Sequence, residues 1–464
     1  MSISQDRESG HSADPVSTAT TLHHNQRLTM AYVPIGSIKP NPDDPRVYER
    51  AEKRRYAKAL KKFGTLPLIV DAEFLVISGN ILLEASKMAG FTEIPVIKAD
   101  HLTKAEATAL MVSYVRLVER GKWDDRLLGE VLRDLTLQNL DLDLTITGFD
   151  PPEIDLLILK LDQQDKEPDD ADELAPVGSR VSRLGDLWIL GPHRLLCADA
   201  LDASSYLALL PGEAAHIIFS DVPYNVPIED NVSGKGAVTH PNFAMASGEM
   251  SEDEFIQFLT TALTLMVANS VDGSLHYIAM DWRHMHEIQL AGRKAYDSLQ
   301  NVCVWSKDKG GMGSLYRSQH ELFFVFKKGK KQHCNNVQLG RFGRNRTNVW
   351  NYAGVNTFGH GSDEGNLLHL HPTVKPVALI ADALLDASHR GDIVLDPFMG
   401  SGSTIIAAEK MGRQARGIEI DPGYVDVAVK RWERWTGQEA RLDGDGRSFA
   451  QVAAARLQEA GNDL

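Results

Sequence analysis

The sequence predicts an α/β chain built on a mostly parallel sheet, and three stretches carry that prediction. Ile217-Ile218-Phe219-Ser220 is an apolar run of strand type that stops at Asp221 and passes at once into Val222-Pro223-Tyr224-Asn225. Ile393-Val394-Leu395 stops in the same way at Asp396, and Gly400 and Gly402 then punctuate the turn into a helix from Ile405 to Met411. Arg416-Gly417-Ile418-Glu419-Ile420 is the third run, with its acid 23 residues beyond Asp396. Continuous apolar runs suit strands buried on both faces, and ligands of open α/β sheets bind at the carboxyl ends of their strands.

Composition sets the bounds. At 464 residues the chain is long enough for two or three domains. An apolar content of 43% and a charged content of 24% describe a soluble globular protein. No apolar run approaches the roughly 18 residues of a membrane span, and the polar segment 1–28 lacks a signal-peptide core. A disordered tail in a cytoplasmic protein is the expectation. Cys197, Cys303 and Cys334 form no CxxC pair and no disulfide framework, so no metal site is expected.

The net charge of −14 argues against a nucleic-acid coat over the whole surface. Its distribution is uneven. Seven acids against Lys166 fill 162–173, whereas ten bases against Asp308 and Glu321 fill 305–350. An acidic protein with one basic window points to a local polyanion site. Lys307, Lys309, Arg341, Arg344, Arg346 and Asn348 are the candidates there, the lysines for phosphates and the others for base edges.

Taken in order, residues 29–100 read as a small α/β unit. A Pro-rich loop at Pro40–Arg46 precedes a helix ending at Phe63-Gly64. Apolar runs at Leu68–Val70 and Phe74–Ile77 read as strands, Gly79 opens a second helix, and Ile94–Ile97 closes the unit. Residues 101–161 turn helical and are expected to be a spacer or dimerising bundle rather than a helix-turn-helix, since no basic recognition face is visible. The acidic stretch 162–177 is the expected linker, 178–445 the catalytic half, and 446–464 a C-terminal helix or tail. Leu187–Leu190 and His193–Cys197 read as a hairpin across Gly191-Pro192, and Asp199 follows it.

Residues 29–100 resemble the N-terminal domain of ParB-like partition proteins and their sulfiredoxin-like relatives. The matching pieces are the Pro40–Arg46 loop, Phe63-Gly64 before an apolar strand, and Ser78-Gly79 opening a helix. Leu82 stands where that family carries an arginine that meets nucleotide phosphate, so a docking or DNA-positioning module is expected in place of nucleotide hydrolysis.

The glycine loop alone leaves a dinucleotide-dependent dehydrogenase open. That loop begins with Asp396-Pro397-Phe398, however, so an acid stands where a pyrophosphate would approach. A carboxylate repels phosphate but suits an ammonium group. From about Gly185 to Gly437 the chain resembles the permuted β class of DNA amino-methyltransferases. Asp221-Val222-Pro223-Tyr224 is similar to their catalytic tetrapeptide and Asp396–Thr404 to their S-adenosylmethionine loop. His371–Pro376, Gln319–Phe324 and Gly417–Glu419 with Tyr424 are similar too.

That resemblance implies a Rossmann-like fold with a mostly parallel seven-stranded sheet, S-adenosylmethionine as cofactor and double-stranded DNA as partner, with a homodimer also expected. It implies that Glu419 takes the donor's ribose and Asp199 its adenine. Asp396, Thr373 and Lys375 would meet its amino-acid end, with Phe398, Gly400, Gly402 and Ser403 completing the site and target recognition lying within 305–370. Asp rather than Ser at the head of the tetrapeptide leans towards adenine N6. The family has proline where this chain has Val222, whose backbone carbonyl serves the same purpose with less stiffness. Two alternatives stay open: cytosine-N4 methylation, and a ParB-like DNA-binding protein with an impaired methyltransferase half.

Overall fold

The computed structural model describes residues 29–138, 143–164, 180–226, 248–308, 310, 315–340, 344–353 and 375–462. The expected tail at 1–28, most of the acidic linker, and Lys309, Arg341 and Thr373 lie outside the described residues. The chain divides into two compact units, residues 1–150 and 151–464. Among the described residues no helix is long and apolar enough to cross a membrane.

The first unit holds β1 (Met30–Pro34), α1 (Arg50–Phe63), β2 (Leu68–Val70), β3 (Val76–Ser78), α2 (Asn80–Ala89) and β4 (Glu93–Lys98). Its sheet runs β1-β4-β2-β3, with β2 parallel to β4 and the other pairs antiparallel. Leu68, Val70, Val76, Leu83, Ile94 and Val96 form its core, and Ala57 and Leu60 of α1 pack on Ala85 of α2. Gly79 has φ +113°, and a Cβ there would stand 2.5 Å from Leu68 Cδ2, so this strand-to-helix turn requires glycine. Asn80, next in line, fastens the Pro-rich loop: its side chain accepts from Asn41 N at 3.0 Å and donates to Asn41 O at 2.8 Å. Two further helices follow, α3 (Lys104–Glu119), opened by a Thr103–Glu106 capping box, and α4 (Asp125–Gln138).

The second unit begins with α5 (Pro151–Gln164). The sequence reading placed this helix in the spacer, but buried Asp155 binds it to the catalytic half. Asp155 accepts from Arg413 at 3.0 Å and pairs with Arg390 at 2.8 Å. The expected hairpin forms as β5 (Leu187–Leu190) and β6 (His193–Cys197). Then come α6 (Ala203–Leu209), β7 (Ala215–Asp221), α7 (Glu252–Ala268), β8 (Ser270–Met280), α8 (Met285–Ala295), β9 (Ser298–Ser306), β10 (His320–Lys327) and β11 (Val349–Asn351). The chain closes with α9 (Val377–Ala387), β12 (Ile393–Asp396), α10 (Ser403–Met411), β13 (Gln414–Glu419), α11 (Pro422–Thr436), β14 (Arg441–Leu442) and α12 (Phe449–Asn462).

Among the described residues its sheet has ten strands in the order β11-β9-β10-β8-β7-β12-β13-β6-β5-β14. The strand number exceeds the expected seven, while the mostly parallel pairing holds at five of the nine neighbouring pairs. Five neighbours, β8-β7-β12-β13-β6, are mutually parallel. The tight turn at Gly191-Pro192 makes β5 antiparallel to β6, and β10 runs antiparallel to β8 and β9. The two- and three-residue edge strands β14 and β11 are too short to show periodicity in sequence. Helices cover the sheet over two buried clusters, one around Trp188, Phe323 and Trp432 and the other around Phe255, Ile278 and Leu395.

Candidate active site

Strand order places the site. After β7 the chain moves to β8 on one side, whereas after β12 it moves to β13 on the other. The β7/β12 junction is therefore a topological switch point, where open α/β sheets form a crevice outside their carboxyl ends. Four acids lie along this edge on consecutive strands: Asp221 ends β7, Asp396 ends β12, Glu419 ends β13, and Asp199 follows β6. With neighbouring strands about 4.8 Å apart, the row extends over roughly 14 Å.

At Asp221 both carboxylate oxygens are engaged. Tyr224 OH donates to Oδ1 at 2.7 Å, and Lys375 Nζ donates to Oδ2 at 2.6 Å. Glu321 at the start of β10 is the hub of the cluster. Its Oε2 stands 3.0 Å from Lys375 Nζ and 3.2 Å from Tyr224 OH, and its Oε1 accepts from Lys307. Burial and the adjacent Glu321 raise the Asp221 carboxyl, against the pull of Lys375. Burial also works to raise Glu321, but the ammonium groups of Lys375 and Lys307 outweigh it and hold that carboxyl ionised. Lys375 is 4% exposed, and its two carboxylates overcome burial to keep it charged. Val222 is buried in the same apolar cluster as Leu196, Phe255 and Met280, so its side chain serves the core. Asn225 adopts φ 53°, a left-handed conformation that Asn tolerates. Its side chain bonds Gly248 N, Met250 N and Met250 O, so it fixes the exit from the tetrapeptide.

The loop after β12 is fastened at each end. Asp396 accepts from Ser220 Oγ at 3.2 Å, Phe398 N at 3.2 Å and Thr404 Oγ1 at 2.6 Å. Glu419 accepts from Gly400 N and Asp421 N, both at 2.8 Å. Arg431 holds Ser401 and Ser403. A Cβ on Gly402 would meet Ala428 Cβ at 2.8 Å, so this glycine permits close packing of the loop on α11. Gly402 and Ser403 thus hold the loop in shape through the protein itself. Phe398 packs 6.1 Å from Phe258, and Asp199 accepts from Leu201 N at 2.8 Å. Burial pushes Asp396 and Glu419 up to about 7 in each case, against the hydrogen bonds that lower them.

Neither of these two buried acids has a cationic partner among the described residues. A ligand carrying positive charge and hydroxyl groups satisfies that pair of acceptors, and S-adenosylmethionine fits it. Lys375 departs from its expected part at the donor's amino-acid end, because its ammonium sits between Asp221 and Glu321. Glu321 had no assigned role in the sequence reading. The signal available was its place in the Gln319–Phe324 stretch.

The basic window also departs from expectation. Arg344 binds Asp386 at 2.7 Å and Asp382 at 3.1 Å, and Arg346 binds both carboxylates at 3.0 Å and Tyr352 OH at 2.9 Å. Both guanidinium groups are spent on α9 in place of projecting towards bases. Lys307 belongs to the Glu321 cluster, with its ammonium 4.6 Å over the Trp305 ring. Asn348 stays exposed and donates to Val302 O at 3.2 Å.

The fold and the row of acids define a Rossmann-like unit built for a cationic nucleoside ligand. Residues 215–430 match the family described as DNA methylase, and residues 126–184 match the ParB-methyltransferase HTH domain. The latter stretch takes in α4 and α5, where the sequence reading favoured a spacer over a helix-turn-helix. The DNA adenine methyltransferase YhdJ of Escherichia coli (strain K12) is 29% identical over 249 residues, which is 50% of this chain and 80% of that protein. The type II methyltransferase M.HpaI of Haemophilus parainfluenzae is 25% identical over 286 residues, 59% of this chain and 81% of that protein. The solved M1.HpyAVI–SAM complex is 18% identical, covers 51% of this chain and 98% of that one, and has a TM-score of 0.36, too distant to add to the argument. Residues 215–430 thus carry a DNA methylase domain, and the chain is an S-adenosylmethionine-dependent DNA methyltransferase with a ParB-related region before that domain.

Proposed function

We propose that the second unit methylates the exocyclic N6 amine of an adenine flipped out of double-stranded DNA. The observation that carries this reading is Asp221 at the switch point, with Asp396 and Glu419 on the next two strands. The adenine-methyltransferase relatives favour adenine as the target. Extrusion costs a few kcal/mol, and stacking on the Tyr224 ring, worth about 1–3 kcal/mol, offsets it.

The N6 lone pair is delocalised into the purine ring and is a poor nucleophile. Hydrogen bonds from N6–H to Asp221 and to the Val222 carbonyl localise it and aim it. The donor supplies an electrophilic methyl group on a sulfonium. Bound S-adenosylmethionine would give up that methyl and leave as a neutral thioether, and Asp221 would take the surplus N6 proton. Its raised pKa suits that acceptance. Lys375 must yield Oδ2 when the base arrives, and Glu321, already within reach, keeps it paired. Holding the reactants in line supplies roughly 7–11 kcal/mol. Asp396 and Glu419 would hold the donor's amino-acid end and ribose, and Asp199 its adenine.

No thiol is available for cytosine-C5 chemistry. Burial pushes Cys197, Cys303 and Cys334 each up to about 12, whereas that reaction needs a thiolate. A cytoplasmic location belongs to the proposal, as does a homodimer. Support for the homodimer comes from exposed apolar side chains on and beside α3 and α4, including Leu117, Val118, Trp123, Leu127 and Val131.

Asp221→Ala tests the assignment. Transfer to DNA should fall by at least about a thousandfold (~4 kcal/mol), while donor affinity stays within about threefold. Wild-type turnover in this variant removes Asp221 from the mechanism.

A further inference from the structure

We infer that the exposed face of α1 is a second DNA-contacting surface, one that grips phosphates of the duplex outside the methylated base. The inference rests on DNA being the substrate. In an acidic chain, α1 carries Arg50, Lys53, Arg54, Arg55, Lys58, Lys61 and Lys62 against Glu52 alone.

Helical spacing turns the density into a surface. Arg50, Arg54, Lys58, Lys61 and Lys62 recur three or four residues apart, so they gather on one side, and all five are exposed. Ala57 and Leu60, buried against α2, fix the rotation of the helix. Lys53 is paired with Glu84 at 2.6 Å, Arg55 with Asp150, and Lys58 with Asp143. Among the described residues Arg50, Arg54, Lys61 and Lys62 have no ion-pair partner. A fold that neutralises three bases and leaves four free along one stripe keeps them for a polyanion.

The dimensions agree. Arg50 to Lys62 covers about 18 Å of helix axis, and duplex DNA presents one charge per roughly 1.7 Å of its own axis. Several phosphates therefore face the stripe at once. Evenly spaced cations along a row of phosphates contribute affinity and positioning without sequence preference.

The test uses the full chain with Arg50→Gln, Arg54→Gln, Lys61→Gln and Lys62→Gln combined. Glutamine keeps helix propensity while removing charge. Affinity for a 30-base-pair duplex is measured by fluorescence anisotropy over a salt series, alongside steady-state methylation. The slope of log affinity against log salt should shallow by about 3–4, KM for DNA should rise, and kcat at saturating DNA should hold. Arg50→Lys with Arg54→Lys should keep the wild-type slope. If the fourfold variant loses its thermal transition, Arg50→Gln with Arg54→Gln should still shallow the slope by about 2.

An unchanged slope overturns the inference. That outcome is also the one expected if an acidic protein occupies the stripe. Binding is read without methyl transfer. A chain that grips DNA through these residues yet methylates nothing sinks the proposed reaction alone.

Discussion

Lys375 Nζ lies 2.6 Å from Asp221 Oδ2 and 3.0 Å from Glu321 Oε2, so one buried ammonium is shared between the carboxylate proposed to react and its neighbour. In the proposed reaction, Glu321 gives Lys375 somewhere to go when the base amine claims Asp221. In Glu321→Gln that second partner is weakened, and Lys375 stays on Asp221. A charge-assisted hydrogen bond is worth about 1.5–3 kcal/mol, so kcat/KM for DNA should fall roughly ten- to a hundredfold with donor affinity unchanged. Equal losses of DNA turnover and donor binding would place Glu321 in the cofactor site instead.

Lys375→Gln removes the positive charge that opposes the upward shift of Asp221. Its carboxyl should then ionise at higher pH, and the acid limb of the kcat/KM profile should move upwards. A profile with the wild-type acid limb would separate Lys375 from the electrostatics of Asp221.

Asp396 and Glu419 both sit at about 7 when buried without a cation, raised from ordinary values of 3.8 and 4.5. Folded carboxyls held that high retain protons that the unfolded chain has lost. Stability of the ligand-free protein should therefore decline as pH rises from about 4 to about 7. Donor binding has the opposite sign, because it favours the ionised acids: affinity should rise through pH 7, with protons released. Calorimetry in buffers of different ionisation enthalpy measures that release, and proton uptake on binding would contradict it.

Asp155 and Arg413 form a buried pair that fastens α5 to the second unit. Asp155→Ala leaves the guanidinium without its carboxylate and should cost about 3–5 kcal/mol in denaturant unfolding. A loss below about 1 kcal/mol would mean that α5 contributes little to that unit.

Dimerisation through the apolar face of α3 and α4 predicts a mass near twice 51.2 kDa by light scattering. Leu117→Asp with Trp123→Asp should return a monomer. A monomeric wild type rejects the dimer.

The sequence made some of this legible because the signals were local. A strand that stops at Asp221, a hairpin turning at Gly191-Pro192 and an acid 23 residues after Asp396 are short-range features, and each occupies its expected place. The convergence of Asp221, Glu321 and Lys375 was not legible. Lys375 lies 154 residues beyond Asp221, and Glu321 lies 97 beyond Tyr224, joined only by the order of strands in the sheet. Arg344 and Arg346 looked like base readers because a charge run does not disclose its partners. Asp382 and Asp386, some 40 residues on, take both. The basic helix α1 was hidden by the acidic total.

The most direct measurement of the central claim is to incubate the full chain with labelled S-adenosylmethionine and mixed-sequence duplex DNA, digest the product, and identify the labelled nucleoside by mass spectrometry. N6-methyladenine is expected at a defined sequence, formed by the wild type and absent with Asp221→Ala. Label in N4-methylcytosine would contradict the choice of base, and no label in DNA from a folded chain that binds the donor would contradict the activity.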